Sequence, residues 1–176
     1  MTRAKLVNQI KRIRLLALDV DGVLTDGRMI YGSDGMPVKA FDVRDGFGLV
    51  LAKQAGLKTA FITAEESRAV VLRAEQLKID WVAQRARDKF KALQECLAHF
   101  RLKAESVCYV GDDLLDLPVL KRVGFSATVA DGHPEIKRRV HYVIPLPGGR
   151  GAVRHLVEFI LQAQGLWPEI VRRYVS

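Results

Sequence analysis

Residues 15–20 form a compact apolar run that turns acidic at its end, Leu15-Leu16-Ala17-Leu18-Asp19-Val20. The chain then continues as Asp21-Gly22-Val23-Leu24-Thr25-Asp26-Gly27. A run this short and apolar reads as a strand buried on both faces, which an open sheet provides only when helices cover both sides. The same signature returns at residues 59–63, around Val82, at 107–110 and at 126–129, with a sixth candidate at 141–144. Helical spacing fills the intervals, at 47–54, 65–78, 89–100, 117–122, 134–139 and 152–163. In the last of these, Val153, Leu156, Val157, Ile160 and Leu161 share one face. Gly56 and Gly124 stand where glycines commonly end helices. Strands alternating with helices of this length predict βαβ units. The expected architecture is α/β, a Rossmann-like doubly wound parallel sheet.

One interval departs from that rhythm. Residues 28–31 and 38–41 are strand-like and flank Gly32-Ser33-Asp34-Gly35, a turn sequence. They predict a small β-hairpin inserted at 28–41, far too small for a cap domain. The 176 residues otherwise read as a single domain, 1–176, with a C-terminal tail at 166–176. Trp167 and Tyr174 in that tail suit either core anchors or a contact with another subunit.

The chain is 49% hydrophobic and 27% charged, a balance for a well-packed globular core rather than disorder. Its net charge of +8 favours acidic partners: phosphorylated small molecules, nucleic acid or an anionic surface. The basic segment 1–14 precedes an apolar run too short, and broken by Asp19, to be a signal peptide or a membrane span. Cys96 and Cys108 are too far apart for a C-x-x-C motif and lie in apolar stretches, so they are expected as buried reduced thiols in the cytoplasm.

Chemistry concentrates at the expected strand ends. Asp19 and Asp21 close the first strand, where ligands bind in open α/β sheets. Val110-Gly111-Asp112-Asp113-Leu114-Leu115-Asp116 closes the fourth with three more acids. Clustered carboxylates form a hard-oxygen site suited to Mg²⁺. Thr63 ends the second strand with a hydroxyl, and Lys89 opens a helix after the third. Carboxylates, a hydroxyl and an ammonium at successive strand ends can bind a phosphoryl group and neutralise it, so that a carboxylate can attack.

This order of motifs resembles the haloacid dehalogenase superfamily of aspartate-nucleophile phosphatases. Lys39-Ala40-Phe41-Asp42-Val43-Arg44-Asp45-Gly46 and Gly148-Gly149-Arg150-Gly151-Ala152-Val153-Arg154 are similar to its capless 3-deoxy-D-manno-octulosonate 8-phosphate phosphatases. The resemblance implies Asp19 as nucleophile, forming an aspartyl-phosphate, and Asp21 as general acid and then base. It implies Mg²⁺ held by the carboxylates of Asp19 and Asp112 and the backbone carbonyl of Asp21. Thr63 and Lys89 would bind the transferring phosphoryl group, Asp116 would orient Lys89, and Asp113 would support the metal shell. Asp42, Val43, Arg44, Asp45, Gly46 and Arg73 match positions that contact the sugar acid. It also implies a homotetramer, with hairpins in a central barrel and neighbouring subunits closing each site. The expected partner is therefore a small phosphorylated keto-sugar acid, with no nucleic acid and no membrane.

Two positions depart from that pattern. The family commonly has arginine where this chain has Val50, and Thr-Gly-Arg where it has Thr63-Ala64-Glu65. A glutamate at 65 resembles relatives that dephosphorylate nonulosonate 9-phosphates, an alternative substrate. Plainer readings stand beside these: Thr63 as a strand-end cap, Lys89, Arg44 and Arg73 as solvated side chains, Glu65 as an acid in a helix first turn. A non-catalytic interaction module with the same fold would be marked by loss of Asp19, Asp21 or Lys89, and all three are present. Arg85, Arg87, Lys89 and Lys91 form a basic cluster without interleaved aromatics, which suits a phosphate-attracting rim better than nucleic-acid binding. His99, His133, His141 and His155 show no metal-ligand spacing, although His133 falls near the acidic motifs.

Overall fold

The computed structural model describes residues 3–33, 35 and 37–175. Its main sheet has six parallel strands: β1 (Leu15–Leu18), β4 (Lys58–Ile62), β5 (Trp81–Ala83), β6 (Val107–Val110), β7 (Phe125–Thr128) and β8 (Tyr142–Val143). They lie in the order β5-β4-β1-β6-β7-β8, so the winding reverses between β1 and β6. That reversal opens a crevice at the carboxyl ends of two central strands. Leu18 stands level with Phe61 on one side and Val110 on the other, so the residues that follow all three strands emerge at one edge.

Alternation along β1 explains why both faces are covered. Leu16 and Leu18 enter one core with α1 (Arg3–Ile10), α2 (Val43–Gln54), α3 (Arg68–Leu77) and α7 (Ala152–Ala163). Leu15 and Ala17 enter the other, with α4 (Lys89–Phe100), α5 (Leu117–Leu120) and α6 (Pro134–Lys137). Successive strand residues point to opposite faces, so an apolar strand without alternation must be sandwiched.

Several boundaries differ from the sequence expectation. The first strand stops at Leu18, because Val20 leads a turn whose carbonyl accepts from the backbone of Val23, Leu24 and Thr25. The helix expected from 47 begins at Val43, where Asp42 caps it by accepting from Arg44 N and Asp45 N. The helix expected from 65 begins only at Arg68. The Glu65 amide is held by Thr63 Oγ1 at 3.2 Å and the Ser67 amide by Gln84 Oε1 at 2.6 Å, which keeps 65–67 as loop. Gly56 does follow a helix, in a left-handed conformation at φ +86°. Gly124 does not end one. A Cβ there would lie 2.0 Å from the Glu105 carbonyl oxygen, so the glycine serves a close backbone crossing.

The 28–41 interval contains β2 (Ile30–Tyr31) paired antiparallel with β3 (Pro37–Val38). Asp34 of the expected turn, like Met36, lies outside the described residues. In the tail, α8 (Trp167–Arg172) buries Ile170 in the core, and the Tyr174 ring meets Phe47 edge-on at 5.6 Å. The tail therefore packs on its own chain. Among the described residues no helix is long and apolar enough to cross a membrane.

Candidate active site

A cavity of about 280 Å³ opens at the carboxyl edge of β1, β4 and β6. Its lining includes Asp19, Asp21, Thr63, Glu65, Lys89, Asp112, Asp113 and Asp116. All four strand-end motifs thus meet at one place.

Asp19 leaves β1 with its backbone amide on Val110 O at 2.9 Å, so the central ladder itself aims the residue. One carboxylate oxygen accepts from Val20 N at 2.7 Å, and the other meets Lys89 Nζ at 2.6 Å. Lys89 is the first residue of α4, where the Asp88 side chain caps by accepting from Lys91 N at 3.0 Å. Its ammonium is 3% exposed and also meets Asp116 Oδ1 at 2.8 Å. Burial pulls its pKa down, but Asp19 and Asp116 outweigh it and hold the pKa above the usual value.

Asp116 is fully buried and its carboxylate is committed. Oδ1 accepts from Lys89 and from Tyr109 Oη at 2.7 Å, and Oδ2 accepts from the amides of Asp112 and Asp113 at 3.1 and 3.3 Å. It organises the loop that presents Asp112. Asp113 caps the short turn after it, accepting from Leu114 N at 2.7 Å. Burial, then Asp116, push Asp19 up to about 8, against the opposing pull of Lys89. The same two causes push Asp112 up to about 6. Gly22 lets the neighbouring loop pass this cluster: at φ +85° a Cβ would fall 2.0 Å from Asp112 Oδ2.

The structure separates the remaining candidates. Glu65 is exposed on the cavity rim in the loop before α3, so a helix first turn does not explain it. His133 caps α6, with Nδ1 accepting from Glu135 N at 3.1 Å. Asp42 caps α2 and pairs with exposed Arg44 at 2.8 Å, and Val43 is 79% exposed. None of Asp42, Val43, Arg44, Asp45, Gly46 or Arg73 lines this cavity. Arg73 instead holds the Asp42 carbonyl at 3.1 Å, packed over Gly46 and the Phe41 ring.

Asp45, expected as a substrate contact, is engaged within the chain itself. It is 1% exposed, and its carboxylate accepts from Gly151 N at 3.1 Å and Arg154 N at 2.8 Å, binding the start of α7. Asp45→Ala would leave those amides unpaired and is expected to lower stability by about 1–3 kcal/mol. Thermal melting checks this, and an unchanged Tm would contradict it.

Sequence reasoning missed two participants. Tyr109 sat inside an apolar strand, where its hydroxyl gave no sign of a partner. Lys39 lay in a quoted motif, yet its side chain is 4% exposed and pairs with Asp21. A lysine flanked by Val38, Ala40 and Phe41 was the available signal.

Comparison with known proteins gives one answer. Residues 52–154 match the haloacid dehalogenase-like hydrolase family. The chain is 43% identical over 162 residues to the 3-deoxy-D-manno-octulosonate 8-phosphate phosphatase of Escherichia coli K12, covering 92% of this chain and 86% of that one. The crystal structure of the Moraxella catarrhalis 3-deoxy-D-manno-octulosonate 8-phosphate phosphatase, in complex with magnesium ion, phosphate ion and KDO, matches with a TM-score of 0.95. It is 36% identical, over 98% of this chain and 99% of that one. The Yersinia pestis phosphatase of the same name matches with a TM-score of 0.91 at 41% identity, over 93% and 89%.

Proposed function

The chain belongs to the haloacid dehalogenase-like hydrolases, in the family of 3-deoxy-D-manno-octulosonate 8-phosphate phosphatases, and from that premise we propose the role of each site residue. It is a Mg²⁺-dependent phosphatase that converts 3-deoxy-D-manno-octulosonate 8-phosphate to the free sugar acid and phosphate. The observation that carries this reading is the meeting of Asp19, Lys89 and Asp112 where the strand order reverses.

The residues present fit the metal. Asp19, Asp112 and Asp116 offer oxygens within 4.8 Å of one another. Asp116 has its oxygens filled by protein donors, so Asp19 and Asp112 would hold Mg²⁺, joined by the Asp21 backbone carbonyl as the family resemblance implies. Six carboxylates face one lysine in the cavity lining, a field that would repel a phosphate ester. Bound there, Mg²⁺ would supply the missing positive charge.

Around it, the protein's own groups divide the reaction. Thr63 and Lys89 hold the phosphoryl oxygens. An Asp19 oxygen forms a bond to phosphorus as the bond from phosphorus to the sugar oxygen breaks. Asp21 gives that oxygen its proton, then takes one from the water that cleaves the aspartyl-phosphate. Asp116 fixes Lys89, and Asp113 supports the Asp112 loop.

The raised carboxyl pKa values make stability depend on pH and metal together. Asp19 and Asp112 hold protons more tightly folded than unfolded, so their effect is neutral below about pH 4. It becomes destabilising as pH rises toward about 6 for Asp112 and about 8 for Asp19. The metal-free protein should therefore lose Tm between pH 5 and 8. Mg²⁺, which needs both groups ionised, should recover more of it at pH 8 than at pH 6. Melting curves with EDTA and with Mg²⁺ check this, and a metal-free Tm that rises over the interval would contradict it.

Met29, Ile30, Tyr31 and Val38 are each more than half exposed on the hairpin, and a two-stranded hairpin is marginal alone. That exposure supports a homotetramer in which copies of the hairpin would cover one another, and Val43 and Arg44 would face a neighbouring subunit's site. Light scattering at micromolar protein should give four times the chain mass, and a monomer would contradict it. The buried free thiols of Cys96 and Cys108 suit the cytoplasm.

Glu65 on the rim supports a second substrate of the same class, a nonulosonate 9-phosphate, since the resemblance pairs a glutamate there with such esters and its carboxylate can accept hydrogen bonds from sugar hydroxyls. The test of the reading is kcat/KM on both esters. The octulosonate should be hydrolysed, and Glu65→Arg should shift the ratio toward it by roughly 5- to 150-fold. Failure to hydrolyse either ester would overturn the function. An unchanged ratio would remove Glu65 from substrate binding.

A further inference from the structure

Lys39 follows β3 directly, at the point where the hairpin's return arm reaches the domain. A lysine in a short exposed insertion should extend into water, because burying an ammonium is costly unless it is paired. Here the side chain is 4% exposed and its ammonium pairs with Oδ1 of Asp21, the only carboxylate at ion-pair distance from it among the described residues. The other Asp21 oxygen meets Thr63 Oγ1 at 3.5 Å, and both residues line the cavity. The carboxylate is thus gripped at one oxygen by a buried cation, while the other meets only the Thr63 hydroxyl among the described residues.

We propose that Lys39 is a positioning residue for the acid–base group: it fixes Oδ1 of Asp21, so that Oδ2 is the oxygen that exchanges protons with the leaving sugar oxygen and the attacking water. This rests on the role given to Asp21 above. Lys39 does not line the cavity, and its ammonium is committed to Asp21. It also ties the acid–base group to the hairpin, so the hairpin's seat on the domain sets where the proton is delivered.

Leaving-group chemistry separates this role from a merely structural one. The sugar 8-oxygen leaves as an alkoxide and needs a proton, whereas p-nitrophenolate leaves without one. The constant kcat/KM reports only the steps through loss of the leaving group, so later hydrolysis of the aspartyl-phosphate does not blur the comparison. Lys39→Met should lower kcat/KM roughly 10- to 100-fold on 3-deoxy-D-manno-octulosonate 8-phosphate and less than about 3-fold on p-nitrophenyl phosphate. Lys39→Arg should restore most of the loss. In an Asp21→Asn background, Lys39→Met should cost less than about 3-fold more on the sugar ester, because the group it positions has gone. Should Lys39→Met not fold, Lys39→Gln carries the same comparison. Equal losses on the two esters, no loss on either, or full additivity with Asp21→Asn would each overturn the proposal. A wild-type enzyme that cleaves p-nitrophenyl phosphate but not the sugar ester would overturn the substrate instead, and Lys39 would then be tested on whichever alkyl phosphate it does cleave.

Discussion

Asp19→Asn is expected to abolish turnover, by about 10⁴-fold or more, while the metal-free protein melts at the same temperature or higher. An amide is a poor nucleophile and a poor partner for Mg²⁺, so both of the side chain's tasks fail together. A loss of that size corresponds to roughly 5.5 kcal/mol of transition-state stabilisation. Stability moves the other way for a separate reason. Burial and the nearby Asp116 make ionised Asp19 costly in the fold, and the amide removes that cost. Lys89 keeps Asp116 as its partner in the variant. Turnover assays and melting curves check both halves. Retained activity would remove Asp19 from the mechanism.

Lys89→Met should show the opposite pairing, with activity and stability falling together. Its ammonium is the only buried cation bridging Asp19 and Asp116 among the described residues, and without it two buried carboxylates face each other. Breaking a buried pair from one side typically costs about 3–5 kcal/mol, and part of that is relieved if a carboxyl takes up a proton. Loss of a cation aimed at the transferring phosphoryl group should reduce kcat by roughly 10²- to 10³-fold. The stability loss should shrink at lower pH, where protonation of Asp19 relieves the repulsion. Melting across pH and single-turnover kinetics report the two effects. A variant as stable and active as the wild type would place Lys89 among solvated surface lysines.

The legible part of this molecule was the part written locally. Apolar runs ending in acids at residues 18–19 and 110–112 gave both the sheet and its reactive edge, because a strand buried on both faces can release a carboxylate only at its end. Thr63 and Lys89 followed by the same logic, each closing or following the next strand outward. The rest depended on contacts distant in sequence. The helix α1 carries too few apolar positions to announce itself, and the carbonyls of Ile10 and Ile13 at its end are held by Gln164 at 3.0 and 3.1 Å. The early start of α2 was hidden by Gly46 and Gly48, which weaken helical propensity. Gly48 is there for approach, since a Cβ would lie 2.9 Å from the Arg154 backbone on α7. Asp45 and Lys39 show what sequence alone leaves open. Each is a charged residue in a motif near the site, and only its long-range partner, the start of α7 for one and Asp21 for the other, decides which serves architecture and which faces the chemistry.

The central claim is a Mg²⁺-dependent hydrolysis of one sugar-acid phosphate at Asp19. The direct test is inorganic phosphate release from 3-deoxy-D-manno-octulosonate 8-phosphate by purified protein, first stripped with EDTA and then given Mg²⁺. The expected result is no release above background in chelator, full recovery with Mg²⁺, and none in either condition for Asp19→Asn. Undiminished release in chelator, or no release from this ester when Mg²⁺ is present, would contradict the account.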